Sequence, residues 1–525
     1  MRCIDYKRRA MFISLIFCLL AGTVMAFLHE PWADEAQSWA MAKNLNFFQL
    51  VTAIKTEGHP ILYHLLLKPF TYILPFRFAG LSSLGFATIG VCCLYKSKID
   101  YRLFILFCLS PSVWYFTIAF ARSYALCLAF FGLIAYLWGL RDKHPILLGL
   151  VFALSFSVHF MFTAVTAFLA LIFGIEQIIS IKNKFREHKF MALREIRPEL
   201  FTGLLLLIGV LLAFNQFMLI DLTKGAGTYN APFEYGGIYD ICNDLANSLV
   251  MNFGWTPLSR FIFIYSVVIF LIVVLARACL DFKTSFYSIA ALTSVVILFG
   301  RVSLTTPQKA TFVLYIFILS SLLYVPKAKK NDGFNTMLAL LLTFTLTLYY
   351  YPHRDIYEDF DGSLTLANKI SELVPEGSKL GIMHDASDYA AVQYLEDNYD
   401  IYLLYDADMK GGYIQWASYD NTAEIVKLYR GEVDFYECIQ TTCKNRGFES
   451  GTEIYILLPV IEIGFPYDAI DDSGKATREF TEEEYAKVHD MTASEVAEHY
   501  DVLYSWHYEG TLYMTEGFLI HVTVG

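Results

Sequence analysis

The chain has 525 residues, of which 56% are hydrophobic and 16% are aromatic, and its mean hydropathy is +0.44. This composition argues against a water-soluble globular protein, because such a protein does not need so much apolar surface. The net charge of −11 argues against a nucleic acid as partner, since the chain has no basic stripe to neutralise phosphates.

The charge is divided unevenly along the chain. Residues 352–525 contain 34 acidic and 11 basic side chains, whereas residues 1–351 contain 17 acidic and 29 basic ones. The net charges of the two parts are therefore −23 and +12. We predict a basic membrane domain over 1–351 and a soluble, acidic domain over 352–525.

Apolar runs of about 20 residues are long enough to cross the ~30 Å hydrocarbon core of a bilayer as helices. The first run, Ala10–Leu28, follows three basic residues and is predicted to be a retained anchor rather than a cleaved signal peptide. Only Ser155, Ser157 and His159 interrupt the stretch that holds the fifth and sixth runs. We predict a polytopic α-helical membrane protein with about eleven spans: 10–28, 76–95, 101–119, 121–140, 145–158, 160–180, 200–220, 261–280, 284–302, 308–325 and 334–351.

The connections between these spans predict the orientation in the plasma membrane. Cytoplasmic loops are enriched in Lys and Arg. With the N-terminus in the cytoplasm, every inner connection is basic, while the outer loops 29–75 and 221–260 are poor in basic residues. The C-terminal domain is then extracytoplasmic. The basic connections are Lys96–Lys98, Arg141–Lys143, Lys182–Arg197, Arg277–Lys283 and Lys327–Lys330.

Local patterns predict structure on both sides of the last span. Within the first outer loop, 29–75, the pattern over Glu35–Leu45 predicts an amphipathic interfacial helix, and Pro60 fits the first turn of another. Beyond Arg354, strands alternate with helices, which predicts a small α/β domain. Its predicted helices are Leu364–Leu373 and Asp388–Leu395, and its predicted strands are Lys379–Met383, Ile401–Tyr405, Glu453–Leu458 and Phe518–Val524.

Two cysteines, Cys438 and Cys443, belong to this C-terminal part. If the domain is extracytoplasmic they are able to pair, and two free thiols are an equally good interpretation.

The strongest candidate for chemistry is the pair Asp34-Glu35, about six residues beyond the first span. A carboxylate at this place is suited to accept a proton from an acceptor hydroxyl, provided it comes within hydrogen-bond reach. The alternative is structural, because an Asp before a helix with an acidic first turn is a good N-cap.

Three further side chains are candidates for binding an anion or a sugar. His59, in Glu57-Gly-His59-Pro60, either contacts a phosphate or sugar or belongs to an ordinary turn. Arg122, at the outer start of the fourth span, either binds a lipid-linked phosphate or reaches towards the headgroups. Arg301 is another outer-end cation that helps bind a diphosphate or caps a helix. His159 fits a satisfied core histidine best.

Taken together, these motifs resemble those of the C-type, multispanning glycosyltransferases that use polyprenyl-phosphate sugars, among them bacterial protein O-mannosyltransferases and lipid A aminoarabinose transferases. That family has an Asp-Glu pair in its first outer loop, as at Asp34-Glu35 here. A His-Pro-Pro-type motif follows, matched by Gly58–Tyr63 with Ile61 in place of the second proline. Many members also carry Glu-x-Arg-x-Tyr-Ala-Leu at the fourth span; Ala121–Leu126 matches it, but Phe120 replaces the glutamate.

The resemblance implies inverting transfer of a sugar from a polyprenyl-phosphate donor at the outer face of the membrane. It implies catalytic roles for Asp34 as base and Glu35 beside it. It also implies substrate binding by a set of outer-end side chains: His59, Arg122, Tyr124 and Arg301. No cofactor is implied because the phosphate is already a good leaving group, although a divalent metal remains an alternative. The acceptor, a protein, lipid or glycan, is not specified.

Two other classes of protein compete with this interpretation. A transporter or flippase of lipid-linked sugars usually places its polar groups near the middle of the membrane, whereas the charges here gather at the outer ends. A polysaccharide polymerase is expected to carry its large outer loop late in the chain, whereas the largest loop here is the first.

Overall fold

A computed structural model describes residues 2–57, 60–188, 192–218, 281–302, 307–324, 333–382, 386–404, 433–459, 496–509 and 514–525. The predicted span 261–280 lies outside these ranges, as does His59.

The described chain is helical up to residue 373 and mixed beyond it. The helices before residue 220 are α1 Arg2–Leu28, α2 Ala33–Asn44, α3 Phe47–Glu57, α4 Leu62–Thr71, α5 Leu81–Lys96, α6 Tyr101–Leu109, α7 Pro111–Trp114, α8 Tyr124–Trp138, α9 Pro145–Ser155, α10 Phe160–His188, α11 Ala192–Glu195 and α12 Arg197–Met218. The later helices are α13 Phe282–Val302, α14 Pro307–Leu323, α15 Gly333–Phe344, α16 Tyr350–Tyr357, α17 Ser363–Leu373, α18 Ala386–Gln393 and α19 Phe435–Asn445. Short 3-10 segments occupy Phe76–Phe78 and Thr345–Tyr349.

The chain divides into two compact units, and neither is a single continuous segment. The helical unit contains Met1–Leu28, Glu57–Leu66 and Gly80–His353. The sheet unit contains His29–Thr56, Leu67–Ala79 and Arg354–Gly525.

Four helices of the described part are long and apolar enough to cross a membrane. They are Tyr6–Leu28, Phe76–Lys96, Phe160–Glu187 and Arg197–Gln216. Shorter apolar helices cover Tyr124–Trp138, Pro145–Ser155 and Thr311–Leu323. A largely helical membrane protein is therefore correct, while the count of eleven spans stays a prediction.

The predicted third span, 101–119, is wrong as a single helix. Helix α6 ends at Leu109, and the short helix α7 begins at Pro111. The physical reason is the Ser110-Pro111 step. Pro111 has no N–H to continue the α6 ladder, and Ser110 Oγ accepts from the Ser112 N–H (3.3 Å), which caps the new turn.

The break between the fifth and sixth spans occurs where the polar residues predicted it. Helix α9 ends at Ser155 and α10 begins at Phe160. The imidazole Nδ1 of His159 accepts from the backbone N–H of Met161 (3.2 Å), so this buried histidine caps the start of α10.

Helices α5 and α8 pack against each other at two glycines. A Cβ added to Gly90 meets the Leu128 carbonyl oxygen at 2.3 Å, and one added to Gly132 meets the Gly90 carbonyl oxygen at 2.0 Å. Small residues allow this close backbone approach, which is how helices commonly associate in membranes.

The described strands of the sheet unit form one five-stranded mixed sheet. They are β1 Lys379–Ile382, β2 Asp400–Leu403, β3 Glu453–Pro459, β4 Asp501–Glu509 and β5 Met514–Thr523. Their order is β2-β1-β3-β5-β4, with β1 parallel to β2 and β3 and the other pairs antiparallel.

Helix α19 covers part of this sheet with an apolar face that includes Cys438, Ile439 and Cys443. Both cysteines are buried free thiols five positions apart on one helix. Burial raises the pKa of Cys443 to about 12, so its thiol is protonated and unreactive at neutral pH.

We expect Gly90→Ala to destabilise the helical unit by about 1–3 kcal/mol, because the new methyl group collides with the α8 backbone. Gly85→Ala is the matched control, since Gly85 lies on the same helix and a Cβ there meets nothing within 4 Å. Its effect should stay within about 0.5 kcal/mol. Unfolding of both variants in detergent measures the difference; equal stability would contradict the packing described here.

Candidate functional site

Asp34 and Glu35 occupy the first turn of α2 but have different surroundings. The helix begins at Ala33 with Trp32 as N-cap residue, so Asp34 is not the cap that its position suggested. Asp34 is exposed, whereas the side chain of Glu35 is fully buried. Glu35 Oε2 accepts from the Trp32 N–H over 3.3 Å, which ties the carboxylate to the start of the helix.

The same Glu35 carboxylate is bound to a buried histidine. His29 Nε2 lies 2.8 Å from Glu35 Oε2, and His29 Nδ1 lies 2.8 Å from Asp355 Oδ2. Burial alone lowers the pKa of His29, but Asp355 and Glu35 outweigh it and raise the pKa to about 10. His29 is therefore an imidazolium at neutral pH, and both of its nitrogens donate.

The imidazolium is also held through its backbone and its ring. Nη1 of Arg77 donates to the His29 carbonyl oxygen over 2.7 Å. The ring of Phe360 lies edge-on to the imidazole, with the centroids 4.7 Å apart. His29 thus connects the three chain segments of the sheet unit: its own, the segment that contains Arg77 and the segment that contains Asp355 and Phe360.

The neighbouring residue, Glu30, accepts hydrogen bonds at the start of α17, another helix of the sheet unit. Its carboxylate accepts from the backbone N–H groups of Phe360 (2.9 Å) and Leu364. Helix α17 begins at Ser363, and its N-cap residue is Gly362, whose φ of +81° favours glycine and which has no side chain to cap the helix itself. Glu30 supplies that missing cap. Burial, with the Glu30 charge, raises the pKa of nearby Asp361 well above its ordinary value.

Arg122 and Tyr124 lie in the helical unit and are both buried, at 7% and 6% exposure. His64 is also buried and interacts electrostatically with Arg122. Neither ring nitrogen of His64 forms a hydrogen bond within the described part of the chain. Burial and the Arg122 charge lower the pKa of His64 to about 4, against a smaller opposing effect of the Pro60 backbone. His64 is therefore a neutral imidazole.

The remaining sequence-predicted site residues are described only in part. Arg301 belongs to the last turn of α13, and its side chain is outside the described set, as is the whole of His59. The Tyr124 ring packs beside His159, with the centroids 5.5 Å apart.

Sequence reasoning missed three residues that the structure brings into the sites. His64 directly follows the Gly58–Tyr63 motif but was given no role, and His29 and Asp355 belong to no motif. Their pairing joins residues 326 positions apart, a distance at which no local pattern signals contact. Within the described residues, no three His, Cys, Asp or Glu side chains are arranged as metal ligands.

No protein-family model matches the sequence, and no curated protein matches it. The comparison with solved structures does find a similar fold. The chain shares the fold of C-type membrane glycosyltransferases, as its motifs predicted.

The solved structures with this fold include two crystal structures of ArnT, a lipid A aminoarabinose transferase, from Cupriavidus metallidurans. The structure bound to undecaprenyl phosphate has a TM-score of 0.51 at 9% identity, and the apo structure has 0.50 at 10% identity. Each match covers 97% of both chains. At these identities the similarity establishes the fold.

We expect the stability of the sheet unit to depend on pH through His29. A pKa raised by folding contributes stability that is complete below the ordinary value of about 6.5 and is lost as the pH rises towards about 10. Thermal unfolding between pH 6.5 and 9.5 should therefore show a falling unfolding temperature. His29→Gln should flatten this slope, and an equal slope in both proteins would contradict the buried imidazolium.

We expect Arg122→Leu to raise the pKa of His64 above about 4, because it removes the repulsion between the two cations. The pKa should stay below about 6.5, since burial still penalises the charged ring. Histidine NMR measures this titration, with His64→Gln to assign the signal. Arg102→Leu is the control, because Arg102 pairs with Asp100 and should not affect His64.

Proposed function

We propose that this protein transfers a sugar from a polyprenyl-phosphate donor to an acceptor at the outer face of the plasma membrane, with inversion at the anomeric carbon. The observation that carries the proposal is the fold, shared over 97% of the chain with a transferase solved in complex with undecaprenyl phosphate. The orientation, with the N-terminus in the cytoplasm, comes from the basic inner connections and remains part of the proposal.

Asp34 is the proposed general base. It is the exposed member of the acidic pair, and the helix turn that carries it is anchored by the buried Glu35. An exposed carboxylate is accessible to an acceptor hydroxyl, and a general base must come within hydrogen-bond reach of the proton it accepts. Glu35, given a catalytic role by the sequence pattern, is proposed to act by supporting this turn.

Arg122 and His64 are proposed to bind the donor phosphate. A guanidinium is well matched to phosphate, because its planar set of N–H groups can donate paired hydrogen bonds to two phosphate oxygens. A neutral His64 can donate an N–H to the same anion without itself being charged. Tyr124 lies two residues after Arg122 in the chain. Tyr124, His59 and Arg301 are proposed as additional substrate contacts.

The reaction conserves atoms and charge with these groups alone. The acceptor hydroxyl loses its proton to Asp34 while its oxygen forms a bond to the anomeric carbon. The bond from that carbon to the phosphate oxygen breaks on the opposite face, and polyprenyl phosphate leaves as an anion. Because this leaving group is already stable, the proposal contains no metal; a divalent ion that assists the phosphate is the alternative.

We expect Asp34→Asn to lower the transfer rate by about 100- to 10,000-fold, the range typical of losing a general base. The assay incubates membranes with a labelled polyprenyl-phosphate sugar and measures release of polyprenyl phosphate. Asp397→Asn is the matched control, since Asp397 is an exposed aspartate of the same unit and should keep the wild-type rate.

The same assay separates the competing functions. Intact donor that crosses the bilayer without release of polyprenyl phosphate would identify a flippase or transporter. Long glycan products would identify a polymerase. Wild-type transfer by the Asp34→Asn protein, at normal abundance in the membrane, would remove the assigned base.

A further inference from the structure

The acidic C-terminal part contributes directly to the surroundings of the Asp34 turn. Helix α2 packs against α18 within the sheet unit, and the Tyr394 hydroxyl donates to the Pro31 carbonyl oxygen over 3.1 Å. At the other end of α2, Lys43 pairs with Glu396. Residues that follow position 353 therefore hold the helix that carries Asp34.

The tightest of these connections is a chain of hydrogen bonds through His29. Asp34 is followed directly by Glu35, whose carboxylate accepts from the Trp32 N–H and from His29. His29 in turn donates to Asp355 over 2.8 Å. All three side chains are at most 6% exposed, so these bonds are poorly screened by water.

The geometry of His29 leaves it no freedom to turn. Both ring nitrogens are engaged, and a rotation of the ring breaks a bond to one carboxylate or the other. The Arg77 guanidinium donates to the His29 carbonyl oxygen, and the Phe360 ring packs perpendicular to the imidazole. Loss of the imidazole leaves Glu35 and Asp355 as buried carboxylates without their common cation, an arrangement that is strongly unfavourable.

We propose that His29 and Asp355 are positioning residues for Asp34: the Asp355–His29–Glu35 chain fixes the first turn of α2 and so sets where the base carboxylate is held. This inference rests on the proposed function, since it requires Asp34 to be the base. It assigns the beginning of the acidic C-terminal part a role in the reaction. His29 itself is not a catalytic residue, because it is fully buried, protonated and already bonded at both nitrogens.

Catalysis is sensitive to such positioning. A misplacement of about 1 Å at a reacting group can cost about 100-fold in rate. An interaction that only orients the base should change kcat and leave the binding of the donor unaltered. These two features separate a positioning role from a role in substrate binding.

The experiment measures kcat and KM for a labelled polyprenyl-phosphate sugar with purified full-length protein in detergent. We expect His29→Gln and Asp355→Asn each to lower kcat by about 10- to 100-fold, with KM changed less than about two-fold. The double variant should be no slower than the slower single variant, because both changes break the same chain of bonds. Asp355→Glu, which keeps a carboxylate, should recover part of the lost rate.

Glu372→Gln is the control for a general loss of stability. It removes an exposed ion pair with Lys369 in the same unit, away from α2, and should keep both constants. Thermal unfolding of every variant gives the fraction of folded protein at the assay temperature, and kcat is calculated per folded molecule. If His29→Gln does not fold, the two Asp355 variants carry the test.

The outcomes distinguish the two proposals. Normal kcat in the folded His29 and Asp355 variants, with an inactive Asp34→Asn protein, would overturn the positioning role and leave the proposed function intact. A rise in KM alone, or multiplying effects in the double variant, would also overturn it. An active Asp34→Asn protein would instead reject the base, and the positioning role with it.

Discussion

One imidazolium held between two buried carboxylates organises the sheet unit. His29 lies 2.8 Å from Glu35 and 2.8 Å from Asp355, and water reaches none of the three side chains to a significant degree. Removing charges from water is costly, so the cluster persists only because each charge finds an oriented partner. The consequence is that residues directly after the first helix and residues after position 353 form one compact unit.

This interaction also gives the two adjacent carboxylates, Asp34 and Glu35, different surroundings and different proposed roles. Adjacent residues on a helix point about 100° apart, so one carboxylate of the pair turns inward when the other faces solvent. Glu35 points inward, where it binds His29 and the Trp32 N–H, whereas Asp34 is exposed. Of these two adjacent acidic residues, Glu35 therefore stabilises the first turn of α2, and Asp34 is the candidate general base.

Local patterns predicted well those features that depend on neighbouring residues. The interruption between α9 and α10 followed from Ser155 to His159, and all six of the predicted elements in the C-terminal part correspond to observed helices or strands. The Ser110-Pro111 break was available from the same rules and was overlooked because the flanking run is so apolar. Strand β4 was missed although Tyr504, Trp506 and Tyr508 alternate as in a strand; an irregularity between Val502 and Tyr504 disturbs the pattern.

The candidate site was less accessible to sequence reasoning. The exposure of Asp34 and the burial of Glu35 depend on what packs against α2, and His29, which binds Glu35, pairs with an aspartate 326 positions further along the chain. Arg122 was recognisable as a cation in an apolar segment, but its effect on His64 requires that α4 and the start of α8 come together. Periodicity reports which face of a helix is apolar, not which distant segment covers it.

The cap that Glu30 provides for α17 has a consequence for biosynthesis. The Glu30 carboxylate is synthesised more than 300 residues before Phe360 and Leu364, whose backbone N–H groups donate hydrogen bonds to it. As the chain emerges, residues 29–45 must wait through the synthesis of the entire helical unit before their partners exist. Closing so large a loop is entropically unfavourable and slow, so docking of the last third of the chain should be the late step of folding. A chain truncated before Arg354 should therefore lack not only the sheet but also an ordered setting for the acidic pair near its beginning.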